Sequence, residues 1–320
     1  AGVEPLLLPG PLAPALARAS HVLTSVAPDA AGDPILRDHA AELTAARPVW
    51  AGYLSTTAVY GDHQGGWVDE DTPLTPSTER GAARVRAEAD WAALGLPLHI
   101  FRLAGIYGPG RGPFEKVRDG SARRIIKPGQ VFSRIHVEDI AQVVAASIAH
   151  PHPGRAYNLC DDDPAPPEDV IGHAADLLGL PLPPAVAYDL AEMTPMARSF
   201  YAESKRVRND RIKAELGVTL LYPTYREGLA ALLAGDDTTP SLRGKVDLIY
   251  IDPPFDSKAD YRTKVNLPGL ELEQKPTVIE QFAYSDTWSD GTASYLAMIT
   301  PRLILMRELL ADTGSIYVHL

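Results

Sequence analysis

Two groups of residues in the sequence have the types and positions to do chemistry. The first is the hydroxyl of Thr56, which ends the β-prone run 49–56. The second is the motif 252–255, Asp-Pro-Pro-Phe, which directly follows the apolar run 246–251. In open parallel sheets, ligands bind at the carboxyl ends of the strands. The hydroxyl can hydrogen-bond a carbonyl substrate. The carboxylate and a proline-fixed backbone carbonyl can accept the two N–H groups of an exocyclic amine beside a stacking phenylalanine.

Three segments around the first group carry a family pattern. Residues 53–62 read YLSTTAVYGD, residues 101–110 read FRLAGIYGPG, and residues 134–141 read RIHVEDIA. In order and spacing they resemble the extended short-chain dehydrogenase/reductase family of the NAD-dependent epimerase/dehydratase type, over residues 18–234. The resemblance implies a Rossmann body that binds NAD or NADP, a small C-terminal lobe and a substrate similar to a nucleotide sugar.

The same resemblance implies roles for single residues. Thr56 matches the hydroxyl that contacts the substrate in the catalytic centre. The residues that the resemblance places at the cofactor are Ser25, Ala27, Arg102, Gly105 and Tyr107.

Two departures from that family change what we expect. When the third helix is aligned on Glu88, Arg80 and Arg84 stand where the family has its catalytic Tyr-x-x-x-Lys pair, and arginine stays protonated and cannot transfer a proton. The alternative for both arginines is a solvated helix surface, with Arg84 paired to Glu88 four residues on. The sequence also begins near the family's fourth strand, without the Gly-rich turn that holds the pyrophosphate. We therefore expect an atypical active site and weak or lost cofactor binding.

The second group lies in a different pattern. Residues 246–255 read VDLIYIDPPF, and residues 282–288 read FAYSDTW. They resemble the amino-methylating DNA methyltransferases, of the adenine-N6 type found in type III restriction–modification systems, over residues 241–320. The resemblance implies S-adenosylmethionine as methyl donor and DNA as partner, but its cofactor loop and target-recognition region would follow residue 320, so we expect an incomplete site. The catalytic residues that it implies are Asp252, Pro253, Pro254 and Phe255.

The elements that position these groups alternate along the chain, which predicts an α/β fold. We expect an incomplete Rossmann-like parallel sheet with a small C-terminal lobe, followed by a partial α/β methyltransferase unit. The predicted domains are residues 1–234 and 245–320, joined by a linker over 235–244. The predicted strands are 21–26, 49–56, 98–103, 156–159, 246–251 and 315–320. The predicted helices are 34–46, 76–94, 137–149, 170–178, 225–234 and 294–310.

Composition excludes several classes of function. The net charge of −11 disfavours a surface that tracks phosphates, although the second resemblance keeps DNA open as a partner. The single cysteine, Cys160, excludes a disulfide framework and a multi-thiolate metal site, and we expect no metal. No apolar run reaches the 18 or so residues that span a bilayer, and the interrupted apolar N-terminus does not read as a secretory signal. The expected location is the cytoplasm.

The function that the sequence favours is an NAD(P)-binding oxidoreductase or epimerase-like domain, with an atypical active site, joined to a fragment of a DNA adenine-N6 methyltransferase. One alternative is an S-adenosylmethionine-dependent DNA methyltransferase of a restriction–modification system. The other is an inactive fusion with neither activity.

Overall fold

The computed structural model divides the chain into two units, Ala1–Asp236 and Asp237–Leu320. The structure describes residues 12–29, 31–238, 246–251, 263–267, 270–274 and 310–318. The boundary between the units falls inside the predicted linker. What each unit does remains a prediction.

The first unit contains ten strands and nine helices among its described residues. Its strands are β1 (His21–Thr24), β2 (Trp50–Thr56), β3 (Trp67–Val68), β4 (Leu98–Leu103), β5 (Gly105–Tyr107), β6 (Arg124–Ile126), β7 (Arg134–His136), β8 (Ala156–Leu159), β9 (Ala185–Ala187) and β10 (Arg206–Val207). Its helices are α1 (Ala13–Leu16), α2 (Pro34–Ala46), α3 (Glu79–Ala93), α4 (Phe114–Arg118), α5 (Val137–Ala149), α6 (Pro167–Leu177), α7 (Pro195–Phe200), α8 (Asp210–Leu216) and α9 (Tyr225–Thr238).

A four-stranded parallel sheet with the order β1-β2-β4-β8 forms the centre of this unit. Strand β2 is buried along nearly its whole length, because helices cover both faces of the sheet. In the register, Thr56 pairs with Leu103, and Leu103 pairs with Leu159. The carboxyl ends of β2, β4 and β8 therefore lie at one edge. This parallel sheet with flanking helices confirms the predicted α/β, Rossmann-like fold class.

Two apolar clusters hold the helices against the sheet. On one face, α2 and α3 pack on Tyr53, whose ring stacks on Trp91 at 5.9 Å between centroids. On the other face, α5 and α8 pack on Trp50, Phe101 and Tyr157. Burying such aromatic side chains stabilises a fold by about 1.5–3 kcal/mol each.

Helix boundaries follow capping residues rather than apolar periodicity. The predicted helix 76–94 begins only at Glu79, because the Thr78 side chain accepts a hydrogen bond from the Gly81 N–H and caps α3. Helix α5 begins after His136, whose Nδ1 accepts from the Glu138 N–H. The interpretation of His136 as the start of a helix is thus confirmed.

Short strand pairs build a lobe beside the carboxyl edge of the sheet. Strand β5 pairs with β7, β6 with β9, and β3 with β10, all in parallel. A second apolar core, which includes Tyr107, Phe114, Val170 and Tyr225, joins this lobe to α4, α6 and α9. None of the helices in the described part of the chain is long and apolar enough to cross a membrane.

The second unit is described only at its strands. Strand β11 (Val246–Ile251) pairs in parallel with β14 (Leu310–Val318), and Ile251 lies opposite Val318. Strands β12 (Thr263–Leu267) and β13 (Leu270–Gln274) form an antiparallel hairpin. The predicted strand 246–251 is confirmed, whereas nearly all of the predicted helix 294–310 lies outside the described residues, and its last residue begins β14.

Candidate functional site

A cavity of about 600 Å³ opens at the carboxyl edge of the sheet. One wall comes from the ends of β2 and β4, and the other comes from the lobe. This volume lies within the range of small-molecule sites. The side chains and backbone with which a ligand could interact there include Thr56, Arg80, Gly105, Tyr107, Arg134 and Lys205.

Thr56 borders this cavity, as the sequence predicted for a strand-end hydroxyl. Its side chain is half-buried, and its Oγ1 accepts a hydrogen bond of 3.2 Å from the Ala58 N–H. This bond uses a lone pair of the oxygen and leaves the hydroxyl hydrogen free to be donated. Thr56 can therefore donate to an oxygen of a ligand in the cavity.

Two more of the predicted site residues, Gly105 and Tyr107, lie in the cavity wall. Gly105 is exposed at the start of β5, so a ligand can approach its backbone closely. The Tyr107 ring is buried, with its edge on His136 at 5.2 Å, and burial raises the pKa of its phenol. Among the described residues, its hydroxyl has no hydrogen-bond partner.

The other predicted cofactor contacts lie elsewhere. Ser25 and Ala27 are exposed just beyond the end of β1, outside the cavity. Arg102 belongs instead to a buried network in the sheet. Its Nη2 donates to Glu88 at 2.8 Å, and its Nη1 donates to the Tyr60 hydroxyl at 2.9 Å.

The structure corrects the predicted roles of Arg84 and Glu88. Glu88 does not pair with Arg84, because its carboxylate accepts from Arg102 and from the Ser55 hydroxyl at 2.6 Å. Arg84 Nη1 donates to the Tyr53 hydroxyl at 2.7 Å and to the Leu54 carbonyl at 3.1 Å, so the half-buried side chain ties α3 to β2. Arg80, one helical turn earlier, is exposed and lines the cavity.

Sequence reasoning missed a buried ion pair in the cavity wall. Lys205 Nζ donates to the Glu203 carboxylate at 2.5 Å and to the Gly61 carbonyl at 2.7 Å. The other oxygen of Glu203 accepts from the Ser77 hydroxyl at 2.5 Å. Both charged side chains are about 10% exposed. An ammonium has three N–H donors, so one donor of Lys205 remains for a ligand. The sequence feature that could have indicated this pair is the run Glu-Ser-Lys at residues 203–205, directly before β10.

Arg134 also reaches the cavity, from β7. Its Nη1 donates to the carbonyls of Phe132 at 2.9 Å and Ala165 at 3.1 Å, and its guanidinium lies 6.0 Å from the centroid of the Tyr225 ring. Burial lowers the pKa of Arg134, and the nearby charge of Asp161 opposes that shift. Burial also raises the pKa of Asp161 to about 8, and neither of its oxygens has a hydrogen-bond partner within the part of the chain that the structure describes.

The fold family implies NAD, and the described residues fit part of it. The Thr56 hydroxyl and the bare backbone of Gly105 suit a nicotinamide at the ends of β2 and β4. A pyrophosphate needs unbonded N–H groups at a helix N-terminus. At α2, which follows β1, the Asp33 carboxylate already accepts from Ile35 and Leu36 at 2.8 and 3.2 Å. The described residues therefore fit the nicotinamide half, whereas these two N–H groups at the start of α2 are not free for a pyrophosphate.

The predicted methyltransferase residues cannot be placed in this way. Asp252, Pro253, Pro254 and Phe255 lie outside the residues that the structure describes.

Comparison with solved structures decides the family. A conserved protein of unknown function from Silicibacter pomeroyi is 64% identical, with a TM-score of 0.70, over 73% of this chain and 83% of that one. The chain belongs to the family of this Silicibacter pomeroyi protein. Solved structures of lower identity share the fold of this chain. One is dTDP-glucose 4,6-dehydratase DesIV from Streptomyces venezuelae with NAD bound, at a TM-score of 0.56 and 20% identity over 71% of this chain and 77% of that one.

Two curated relatives match about half of this chain. Protein YeeZ of Escherichia coli is 33% identical over 175 residues, which are 53% of this chain and 58% of YeeZ. A 3-diazoavenalumate denitrifying reductase from Streptomyces is 29% identical over 182 residues, 51% of this chain and 58% of that protein. The chain thus spans less than two thirds of either relative.

A third relative matches a shorter stretch. The type II methyltransferase M.EcaI from Enterobacter cloacae is 37% identical over 76 residues, 24% of this chain and 13% of that protein. No protein-family model matches the chain.

Proposed function

We propose that the first unit is an NAD(P)-linked oxidoreductase or epimerase-like domain that acts on a carbonyl group in the cavity. The observation that carries this proposal is the position of the cavity at the carboxyl ends of β2 and β4, with Thr56, Gly105 and Lys205 in its lining. The fold of its NAD-binding neighbours and a relative named as a reductase support it.

The proposed chemistry assigns proton transfer to Lys205. When bound, NAD(P)H supplies a hydride to the carbonyl carbon. The Thr56 hydroxyl donates a hydrogen bond to the carbonyl oxygen, and the remaining N–H of Lys205 gives that oxygen its proton. The Glu203 carboxylate holds the ammonium in place through the 2.5 Å contact, and the neutral amine left after the transfer takes its next proton from solvent. In this proposal Lys205, held by Glu203, replaces the Tyr-x-x-x-Lys pair as the proton donor, because Arg80 and Arg84 cannot transfer protons.

Saturation-transfer NMR of the full chain with NADH and NADPH tests the cofactor part, because this method detects weak binding. We expect signals on the nicotinamide protons. Gly105→Leu places a side chain against the cavity and should raise Kd about tenfold, which corresponds to about 1.4 kcal/mol. Gly112→Leu is the control, since a Cβ at Gly112 lies within 4 Å of no atom in the described part of the chain. Equal Kd values for both variants, or no nicotinamide signal, would overturn the proposal.

A second candidate function belongs to the second unit, and the likeness to M.EcaI favours it. We propose that residues 245–320 derive from a DNA adenine-N6 methyltransferase in which Asp252, Pro253, Pro254 and Phe255 hold the target amine. Labelled S-adenosylmethionine and adenine-containing duplex DNA test this candidate. Incorporation that Asp252→Ala abolishes supports an active methyltransferase. If neither the wild type nor Asp252→Ala incorporates label, the result contradicts an active methyltransferase and favours a fusion in which this part is inactive.

A further inference from the structure

The cavity carries an excess of positive charge within an acidic protein. Three cations line it, Arg80, Arg134 and Lys205, against one carboxylate, Glu203, which gives a formal charge of +2 (three minus one) among the described lining residues. The whole chain has a net charge of −11. A cleft with low-dielectric walls focuses such a local field and attracts ligands of the opposite charge.

The charges of Lys205 and Glu203 cancel in their ion pair, so the excess positive charge of the cavity comes from Arg80 and Arg134. Arg134 makes its hydrogen bonds through Nη1 to two backbone carbonyls, and both are neutral acceptors. The Nε–H and the two Nη2–H donors remain. Among the described residues, no carboxylate oxygen lies within 4.0 Å of its side-chain nitrogens.

Among the described residues, Asp161 is the buried acid whose charge acts on Arg134, but it makes no ion pair with Arg134 within 4.0 Å. Burial raises the pKa of Asp161 to about 8, which weakens the counter-charge that it offers near neutral pH. A buried cation without a counter-charge is costly, whereas an anion that enters the site supplies both charge and hydrogen-bond acceptors. Arg134 therefore has the chemistry of a ligand-binding cation.

The rest of the cavity suits a flat apolar body. Phe132 and Tyr201 line it, edge to face at 5.5 Å between ring centroids. Phe200, on α7, adds a third aromatic side chain that is 55% exposed. Arg80 is also exposed and makes no ion pair or hydrogen bond in the described structure, which leaves its charge available to an approaching anion.

We propose that this cavity binds a small aromatic oxyanion whose charged group pairs with the Nε and Nη2 donors of Arg134. The ring of the ligand packs against Phe132 and Tyr201, and Arg80 draws the anion toward the cavity. A planar guanidinium fork matches the two oxygens of a carboxylate or of a phosphate ester. This inference rests on the proposed function, because the oxyanion would belong to the carbonyl substrate of the first unit.

Calorimetric titration of the full chain with benzoate, phenyl phosphate and benzamide tests the site without any dinucleotide. Benzoate and phenyl phosphate distinguish the two oxyanions, and benzamide is a neutral mimic of benzoate. We expect at least one oxyanion to bind about tenfold more tightly than benzamide, which matches a charge-assisted hydrogen bond of about 1.5–3 kcal/mol.

Variants separate the site from nonspecific attraction. Arg134→Met should weaken oxyanion binding about tenfold or more, and Arg134→Lys should lose less because it keeps the charge. Arg80→Met, at an exposed position, should weaken it by a few-fold without affecting the fold. The control is Arg123→Met, which removes an exposed arginine of the lobe that lies outside the cavity.

The inference is overturned if benzamide binds as tightly as the oxyanions. It is also overturned if Arg134→Met and Arg80→Met both bind the oxyanions like the wild type. If Arg134→Met does not fold, the inference is overturned by an oxyanion affinity that is unchanged in Arg80→Met and does not depend on salt. Oxyanion binding that depends on Arg134, without any nicotinamide signal, supports the oxyanion site and contradicts the proposed oxidoreductase. A nicotinamide signal without oxyanion binding supports the oxidoreductase and contradicts the oxyanion site.

Discussion

The guanidinium of Arg102 donates a hydrogen bond of 2.8 Å from Nη2 to the buried carboxylate of Glu88. The two side chains are 7% and 5% exposed, and they join β4 to α3 behind the cavity. Ser55 and Tyr60 complete the network through further hydrogen bonds. Helix α3 is thus fixed to the sheet by a charged pair as well as by apolar contacts.

Breaking this pair should destabilise the first unit strongly. Arg102→Met leaves the Glu88 charge buried, and Glu88→Gln leaves the Arg102 charge buried, so each should lower the free energy of unfolding by about 3–5 kcal/mol. The double variant should lose less than the sum, because neither charge remains. Urea unfolding measures all three. The control is Asp163→Asn, which removes the more exposed pair with Arg226 and should cost at most about 1 kcal/mol. Losses no larger than in that control would contradict the prediction.

Most of the central sheet can be predicted from the sequence, whereas the cavity cannot. Strand β2 is apolar up to Leu54 and ends in two hydroxyl residues, of which Thr56 is the last. Strand β4 is apolar apart from His99 and Arg102. Glu203, Lys205 and Arg134 reach the cavity from short strands and loops that have no periodicity. Helical spacing predicts an Arg84–Glu88 pair, but Arg102 on the neighbouring strand offers Glu88 a buried partner that a single helix cannot show.

Asp33 should contribute to stability through two separate partners. Its Oδ1 caps α2, and its Oδ2 accepts from the Trp91 Nε1–H at 2.9 Å in the core. Asp33→Ala removes the cap, at about 1 kcal/mol, and leaves a buried indole N–H unbonded, at about 1–3 kcal/mol. Asp33→Ser keeps the cap and loses the contact with Trp91, so we expect an intermediate free energy of unfolding by urea titration. Equal stability of the alanine and serine variants would show that the cap contributes nothing.

The buried carboxyl of Asp161 should make stability depend on pH. Its pKa is raised from 3.8 to about 8 by burial, so the folded state holds a proton that the unfolded state releases. Stability is therefore highest below the unfolded pKa and falls as pH rises toward 8, by at most about 1.4 kcal/mol per pH unit. Asp161→Asn should remove this fall and be more stable than the wild type near pH 8. Thermal unfolding between pH 5 and about 8 measures it, with the exposed Asp189→Asn as control. If the stability of Asp161→Asn still falls as pH rises toward 8, the pH dependence belongs to another group.

Gly228 should be intolerant of a side chain because Tyr107 occupies the space. A Cβ at Gly228 would lie 2.0 Å from the Tyr107 hydroxyl oxygen and 2.7 Å from its ring, on the helix that closes the lobe. The buried ring is held edge-on against His136 and cannot turn away freely. Gly228→Ala should therefore lower the free energy of unfolding by about 1–3 kcal/mol. Gly235→Ala lies in the same helix, its new Cβ has no atom of the described residues within 4 Å, and it should instead gain about 0.5–1 kcal/mol. Adding Tyr107→Phe to Gly228→Ala removes the closest atom, so the double variant should recover part of the lost stability in urea unfolding. A double variant no more stable than Gly228→Ala would mean that the Tyr107 hydroxyl is not the obstacle.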